Sequence, residues 1–242
     1  MTDSAAADFQ PLSDPTSQTR DSAVKAVVFD LDGLMFNTEE LYVRVMQELL
    51  RRREKEFTWE LIDQMMGRPG RVSLQIMIDH HRLSDTVDGL YAESDAVFYE
   101  IWQLELALMP GLAELLEALE RHQIPKAIAT SSRAHVVHKM LARFDLQPRF
   151  HFVLTSEDVT NGKPDPEIYL KAAGRLGVQP SEIMVLEDSE NGCRAAVAAG
   201  AVAVAVPGAH YAARHQYSGC ALQASSLADP GIYRLLGIQA PG

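Results

Sequence analysis

Cysteine is nearly absent from this chain: Cys193 and Cys220 are the only two in 242 residues. That is too few for a disulfide framework and fits a reducing cytosol, so a cytoplasmic protein is expected. Basic residues are also scarce. Lys and Arg number 22 against 33 Asp and Glu, giving a formal net charge of −11. Nucleic acid and anionic membranes are held through clustered cations, so neither is an expected partner. An anionic substrate would need positive charge supplied at its own site. No apolar run approaches the ~20 residues that span a bilayer, and the longest, such as 201–206, are strand-sized. Residues 1–22 hold Ser, Ala, Asp and Thr with Pro11 and Pro15 but no apolar segment. They read as a disordered leader rather than a secretory signal.

The chain is nonetheless 47% hydrophobic, enough for a substantial core near the size at which cores divide into domains. Five short apolar runs, at 24–29, 124–129, 150–155, 183–186 and 201–206, end in polar or glycine-bearing turns. Their continuity, rather than alternation, suits strands covered on both faces. Helical patterns at 111–122, 132–144, 166–176 and 191–199 lie between the later runs. The expected fold class is α/β, an open and mostly parallel sheet, in which ligands bind beyond the carboxyl ends of the strands.

One interval breaks that rhythm. Residues 39–53, 59–66, 72–81 and 87–106 are helical in pattern, with Thr38 and Thr58 as expected N-caps and Gly67-Arg68-Pro69-Gly70 as a break. They predict an all-helical cap domain at 37–108, inserted into a core domain of 23–36 and 109–242 and standing over the strand ends as a lid. A short helix at 232–236 closes the chain.

The polar residues just after the strands carry the chemistry. Asp30-Leu31-Asp32-Gly33 follows the first run; two carboxylates two positions apart share a face, and the glycine lets amides approach a ligand. Thr130-Ser131-Ser132 follows the second run at a helix start, which suits phosphate but also simple N-capping. After the third run, Asn161-Gly162-Lys163-Pro164-Asp165-Pro166 has a structural account in its prolines for everything but Lys163. The fourth run ends in Glu187-Asp188-Ser189; Ser189 or Asp188 can cap the next helix, but Glu187 is not explained that way. Parallel adjacent strands would bring Asp30, Asp32, Glu187 and Asp188 into one cleft. Two carboxylates about 4 Å apart repel by roughly 4 kcal/mol at an effective dielectric of 20, so a divalent cation and a lysine are electrostatic requirements. All-oxygen ligation points to Mg²⁺.

Other groupings carry less. His80-His81 and His135/His138 lack a third ligand, Leu34-Met35-Phe36 is apolar where a calcium loop needs ligands, and Cys193 reads as packing.

Together the four motifs resemble the haloacid dehalogenase superfamily, in its β-phosphoglucomutase and phosphoglycolate phosphatase branch. The resemblance covers residues 24–207 and implies a Rossmann-like core with a helical cap. It implies that Asp30 is a nucleophile forming an aspartyl phosphate and that Asp32 is the general acid and then base. Thr130, Ser131 and Lys163 would hold the phosphoryl group. Asp30, Glu187, Asp188 and the carbonyl of Asp32 would hold Mg²⁺. Dehalogenation is disfavoured, because dehalogenases lack the second aspartate and the metal. The related mutases carry a histidine where this chain has Tyr42, and a cap-loop arginine with which Arg68 and Arg71 do not align cleanly; these three are the specificity candidates. The expected activity is therefore a Mg²⁺-dependent phosphatase of a small phosphorylated metabolite, a sugar phosphate. A hexose-phosphate mutase and a non-catalytic binding protein are the alternatives, and a monomer is the default.

Overall fold

The computed structural model describes residues 24–65, 70–208, 212 and 216–240. The expected leader at 1–22 and Arg68 lie outside them. The elements run β1 (Ala26–Phe29), α1 (Thr38–Arg51), α2 (Trp59–Met65), α3 (Gly70–His81), α4 (Val87–Glu105), α5 (Leu112–Arg121), β2 (Lys126–Ala129), α6 (Ala134–Arg143), β3 (Val153–Leu154), α7 (Glu167–Leu176), β4 (Ile183–Glu187), α8 (Glu190–Ala198), β5 (Val202–Ala205), β6 (Leu222–Gln223) and α9 (Pro230–Leu235). The six strands form one sheet in the order β3-β2-β1-β4-β5-β6, and every pairing is parallel.

Alternate residues of the central strands serve two cores. Val27, Phe29, Ile128, Met184 and Leu186 pack under α5, α6 and α9, while Ala26, Val28, Ala129, Ile183 and Val185 pack under α7 and α8. Burial on both faces explains why the runs are continuously apolar. The chain reverses direction in the sheet at β1, which lies between β2 and β4; such a switch point leaves a crevice at the strand ends. Phe29 pairs with Leu186 across β1 and β4, so Asp30 and Glu187 leave the sheet at the same level.

Helices α1–α4 have a separate core built from Val45, Leu49, Leu61, Leu74, Met77 and Leu90. Phe98 and Ile101 pack against both this core and the one under α5. The two crossings between helical block and sheet run side by side. Asn37 accepts from the Ala107 amide through Oδ1 at 2.9 Å and donates through Nδ2 to Glu105 O at 3.2 Å.

Several expected boundaries shift. Thr38 is not the N-cap of α1: Asn37 holds that position, and Thr38 Oγ1 accepts from the Gly33 amide at 2.9 Å. The expected strand at 150–155 is only Val153–Leu154, and β6 follows no apolar run. Tertiary pairing rather than propensity sets both, as the Ala221 amide bonding Ala203 O at 2.8 Å illustrates.

Phe29 is fully buried and meets Phe150 edge to face at 5.7 Å, directly before Asp30. Phe29→Ala should cost roughly 3–5 kcal/mol, read as a lowered midpoint in guanidinium unfolding; a loss under about 1 kcal/mol contradicts this packing account.

Candidate active site

Three strand ends and one loop converge. Lys163, on the loop after β3, reaches across the crevice with its side chain only 6% exposed. Its ammonium donates to Asp30 Oδ1 at 2.5 Å, Glu187 Oε1 at 2.6 Å and the Ala129 carbonyl at 3.0 Å. One cation thus ties together the ends of β1, β2 and β4. Glu187 is engaged on both oxygens. Oε1 also accepts from the Tyr169 hydroxyl at 2.5 Å, and Oε2 accepts from the Ser189 hydroxyl at 3.0 Å and amide at 3.3 Å. The same Ser189 hydroxyl accepts from the Gly192 amide at 3.0 Å as N-cap of α8.

Asp30, Glu187 and Asp188 present ligand oxygens within 4.8 Å of one another, all from buried residues. Burial pushes the Asp30 carboxyl up to about 8, with Glu187 and Asp32 adding to the rise and Lys163 opposing it. Asp188 lies well above the usual carboxylate range, again from burial first and from Asp30, Glu187 and Glu39 next. Lys163 is held protonated far above an ordinary amine by Asp30 and Glu187, against the opposing effect of burial. One lysine therefore does not neutralise the cluster, and a divalent cation would fit its all-oxygen donor set. Two glycines shape the cradle. A Cβ on Gly33, whose φ is 74°, would collide with Asp188 Oδ2, and one on Gly192 would collide with the Glu187 carboxylate.

Across the crevice, Asp32 Oδ2 accepts from Ser132 Oγ at 2.6 Å and Thr130 Oγ1 at 3.4 Å. The hydroxyls do not cap the next helix. Arg133 is the N-cap of α6, with no side-chain bond, and Thr130 Oγ1 instead takes the Ser132 amide at 3.0 Å. Ser131, the expected phosphate ligand, is exposed, and Ser132 occupies the inward position. Their adjacency in the sequence concealed which one the turn aims inward.

Glu39 also reaches the site. From the first turn of α1 its carboxyl hydrogen-bonds Asp188, and burial with the charge of Asp32 raises it to about 7. Its acidic first-turn position reads equally as helix-dipole complementarity, so no sequence signal singled it out.

Of the cap candidates, Tyr42 stacks on Phe98 at 4.7 Å and lines a cavity of about 430 Å³ with Glu39, Met46, Phe57, Tyr91 and Asp95. Arg71 turns outward to pair with Asp88 at 2.6 Å and lies over Tyr91. The histidines are not drawn into a metal-type cluster among the described residues.

The family model for haloacid dehalogenase-like hydrolases matches residues 27–206. The chain belongs to that family. A relative from Thermotoga maritima, named a phosphorylated carbohydrates phosphatase, is 35% identical over 181 residues, 73% of this chain and 82% of its own. One from Drosophila melanogaster, named a probable pseudouridine-5′-phosphatase, is 39% identical over 186 residues, 74% of this chain and 80% of its own. Among solved structures, CbbY from Rhodobacter sphaeroides in complex with phosphate superposes with a TM-score of 0.70 at 27% identity, covering 86% of this chain and 96% of that one. The chain is thus an enzyme of the haloacid dehalogenase phosphatase type, with the family's Rossmann-like fold.

The raised carboxyls set a pH dependence. Asp30, ordinarily near 3.8, and Glu39, ordinarily near 4.5, rise to about 8 and about 7 on folding. The folded chain therefore binds more protons than the unfolded one up to those values, and this contribution is lost as pH rises through them. With EDTA present, unfolding free energy should fall progressively from about pH 4.5 to about pH 8, and saturating Mg²⁺ should flatten the fall. Denaturant titrations check this; stability that rises with pH in EDTA contradicts it.

Proposed function

We propose that the protein is a Mg²⁺-dependent phosphatase acting on a small phosphorylated metabolite, a sugar phosphate, through an aspartyl phosphate on Asp30. The observation that carries this reading is Lys163 bridging Asp30 and Glu187 in a buried acidic crevice that faces the Thr130 and Ser132 hydroxyls. The phosphatase names of the relatives, one of them for phosphorylated carbohydrates, support it.

The roles follow from the contacts. Asp30 Oδ1, turned toward Lys163, attacks phosphorus, and the leaving alkoxide takes a proton from Asp32. Asp32 then deprotonates a water that attacks the acyl phosphate, which releases phosphate and restores the Asp30 carboxylate. Lys163 and Thr130 hold phosphoryl oxygens, with Ser132 in the place first assigned to Ser131. A phosphoryl group arriving there replaces Asp32 as acceptor of the two hydroxyls and frees its carboxyl for the leaving oxygen. Asp30, Asp188 and the carbonyl of Asp32 would hold Mg²⁺, which would supply positive charge to the transferring oxygens. Glu187, whose four acceptor positions are filled by Lys163, Tyr169 and Ser189, holds Lys163 in place.

Residues 23–36 and 109–242 form the core domain in this reading, and 37–108 form a cap that receives the leaving group. Tyr42 is its specificity residue. Arg71, already paired with Asp88, contributes only by exchanging that partner, and Arg68 lies outside the described residues. The site is expected to work in the cytoplasm.

Asp30→Asn should abolish phosphate release while leaving circular dichroism and the unfolding transition close to wild type; retained turnover overturns the mechanism. With β-glucose 1-phosphate, a coupled assay should find free glucose and phosphate. Glucose 6-phosphate as product would establish the mutase instead.

A further inference from the structure

The only two cysteines in the chain meet in the fold. Cys193 is buried on α8 and Cys220 is half-buried on the segment between β5 and β6. With Ala205 and Tyr217 they form a small cluster of their own, and their thiols hydrogen-bond to one another. The approach has identifiable causes. Gly219, at φ 85°, would bring a Cβ to 3.0 Å from Val197 of α8, so the backbone lies close against that helix. Amides of Ala221 and Ala224 then bond Ala203 O at 2.8 Å and Ala205 O at 2.7 Å, which fixes the segment along β5.

Neither thiol has a part in the phosphatase chemistry, yet each is linked through hydrogen bonds to a residue of the site. The Cys193 amide donates to Ser189 O at 3.0 Å, and the Ser189 hydroxyl lies 3.0 Å from Glu187 Oε2. Tyr217, three residues before Cys220, donates its hydroxyl to the Asp188 carbonyl at 3.1 Å. A shift of either cysteine therefore bears on Glu187 or Asp188 through one intervening residue.

We propose that Cys193 and Cys220 are a redox modification site, closing to a reversible intramolecular disulfide that displaces Tyr217 and Ser189, disturbs the Asp188 main chain and the Glu187 that holds Lys163, and so weakens the metal site. Hydrogen peroxide is the oxidant. The more exposed Cys220 attacks a peroxide oxygen as its thiolate, gives a sulfenic acid and releases water. The Cys193 sulfur then displaces the sulfenic hydroxyl as a second water. Two thiols and one peroxide thus become one disulfide and two waters, and a dithiol reductant reverses the step. The thiols' existing contact removes the search that normally slows this second displacement. The consequence for catalysis rests on the proposed metal site; the cross-link does not.

The test uses the full chain, reduced or treated with hydrogen peroxide, and reads three things: a non-reducing peptide map, p-nitrophenyl phosphate hydrolysis, and the rise in unfolding temperature as Mg²⁺ is titrated. Peroxide should produce a Cys193–Cys220 linked peptide and raise the Mg²⁺ needed for half-maximal stabilisation and turnover roughly tenfold, the scale on which loss of outer partners weakens metal ligands. Dithiothreitol should reverse both. Cys220→Ser and, as a smaller replacement in the buried position, Cys193→Ala should keep the reduced enzyme's Mg²⁺ dependence after peroxide. No linked peptide in folded protein, a linked peptide with unchanged Mg²⁺ dependence, or equal loss in the Cys220→Ser variant would each overturn the proposal. A reduced chain that Mg²⁺ does not stabilise counts against the metal site, while the peptide map still scores the cross-link.

Discussion

The Lys163 ammonium lies 2.5 Å from Asp30 and 2.6 Å from Glu187, with the Ala129 carbonyl as its third acceptor. The strand ends can carry buried carboxylates at the same level because this cation stands between them. Removing it would leave like charges repelling by roughly 4 kcal/mol per pair at about 4 Å and an effective dielectric of 20. The surrounding contacts serve to hold it: Tyr169 and Ser189 anchor Glu187, and Gly192 leaves space for that carboxylate. Even so, Asp30 and Asp188 stay far above ordinary carboxylates. The remaining charge imbalance is what the proposed divalent ion would offset, and it would also let Asp30 act as an anion near neutral pH.

The helical block meets this centre at the first turn of α1. Glu39 touches Asp188, and one turn further along, Tyr42 opens the cavity between the cap helices. The clasp of Asn37 on residues 105 and 107 keeps the two crossings together, so the block joins the core through paired segments of chain rather than through independent linkers. In the proposed function, a leaving group held beside Tyr42 is therefore sensed within one helical turn of the metal carboxylates.

Most of the sheet was legible because a strand buried on both faces is apolar along its length, as 183–186 and Ala26–Phe29 are. The convergence of the candidate site was legible because parallel strands place whatever follows them on one edge; bringing Asp30, Thr130 and Glu187 together needed only that topology. What escaped depended on side-chain direction or distant partners. Ser131 and Ser132 differ only in which one the turn aims at Asp32. Thr38 has the composition of an N-cap but serves the Gly33 amide. Glu39 is an unremarkable first-turn acid until the fold places Asp188 beside it. β6 has no apolar signature, because its two residues are ordered by the edge of β5. The contact between Cys193 and Cys220 depends in the same way on the return of the chain after β5.

In the proposed function, Asp30, Asp188 and their surroundings are one cation site completed by a divalent ion. Direct binding of Mn²⁺, a spectroscopic stand-in for Mg²⁺, tests it without recourse to turnover. Electron paramagnetic resonance titration of the full chain near neutral pH should show one saturable ion per chain, displaced by Mg²⁺ and lost in Asp188→Asn. Absence of saturable binding in the wild type, or unchanged binding in Asp188→Asn, would contradict the account.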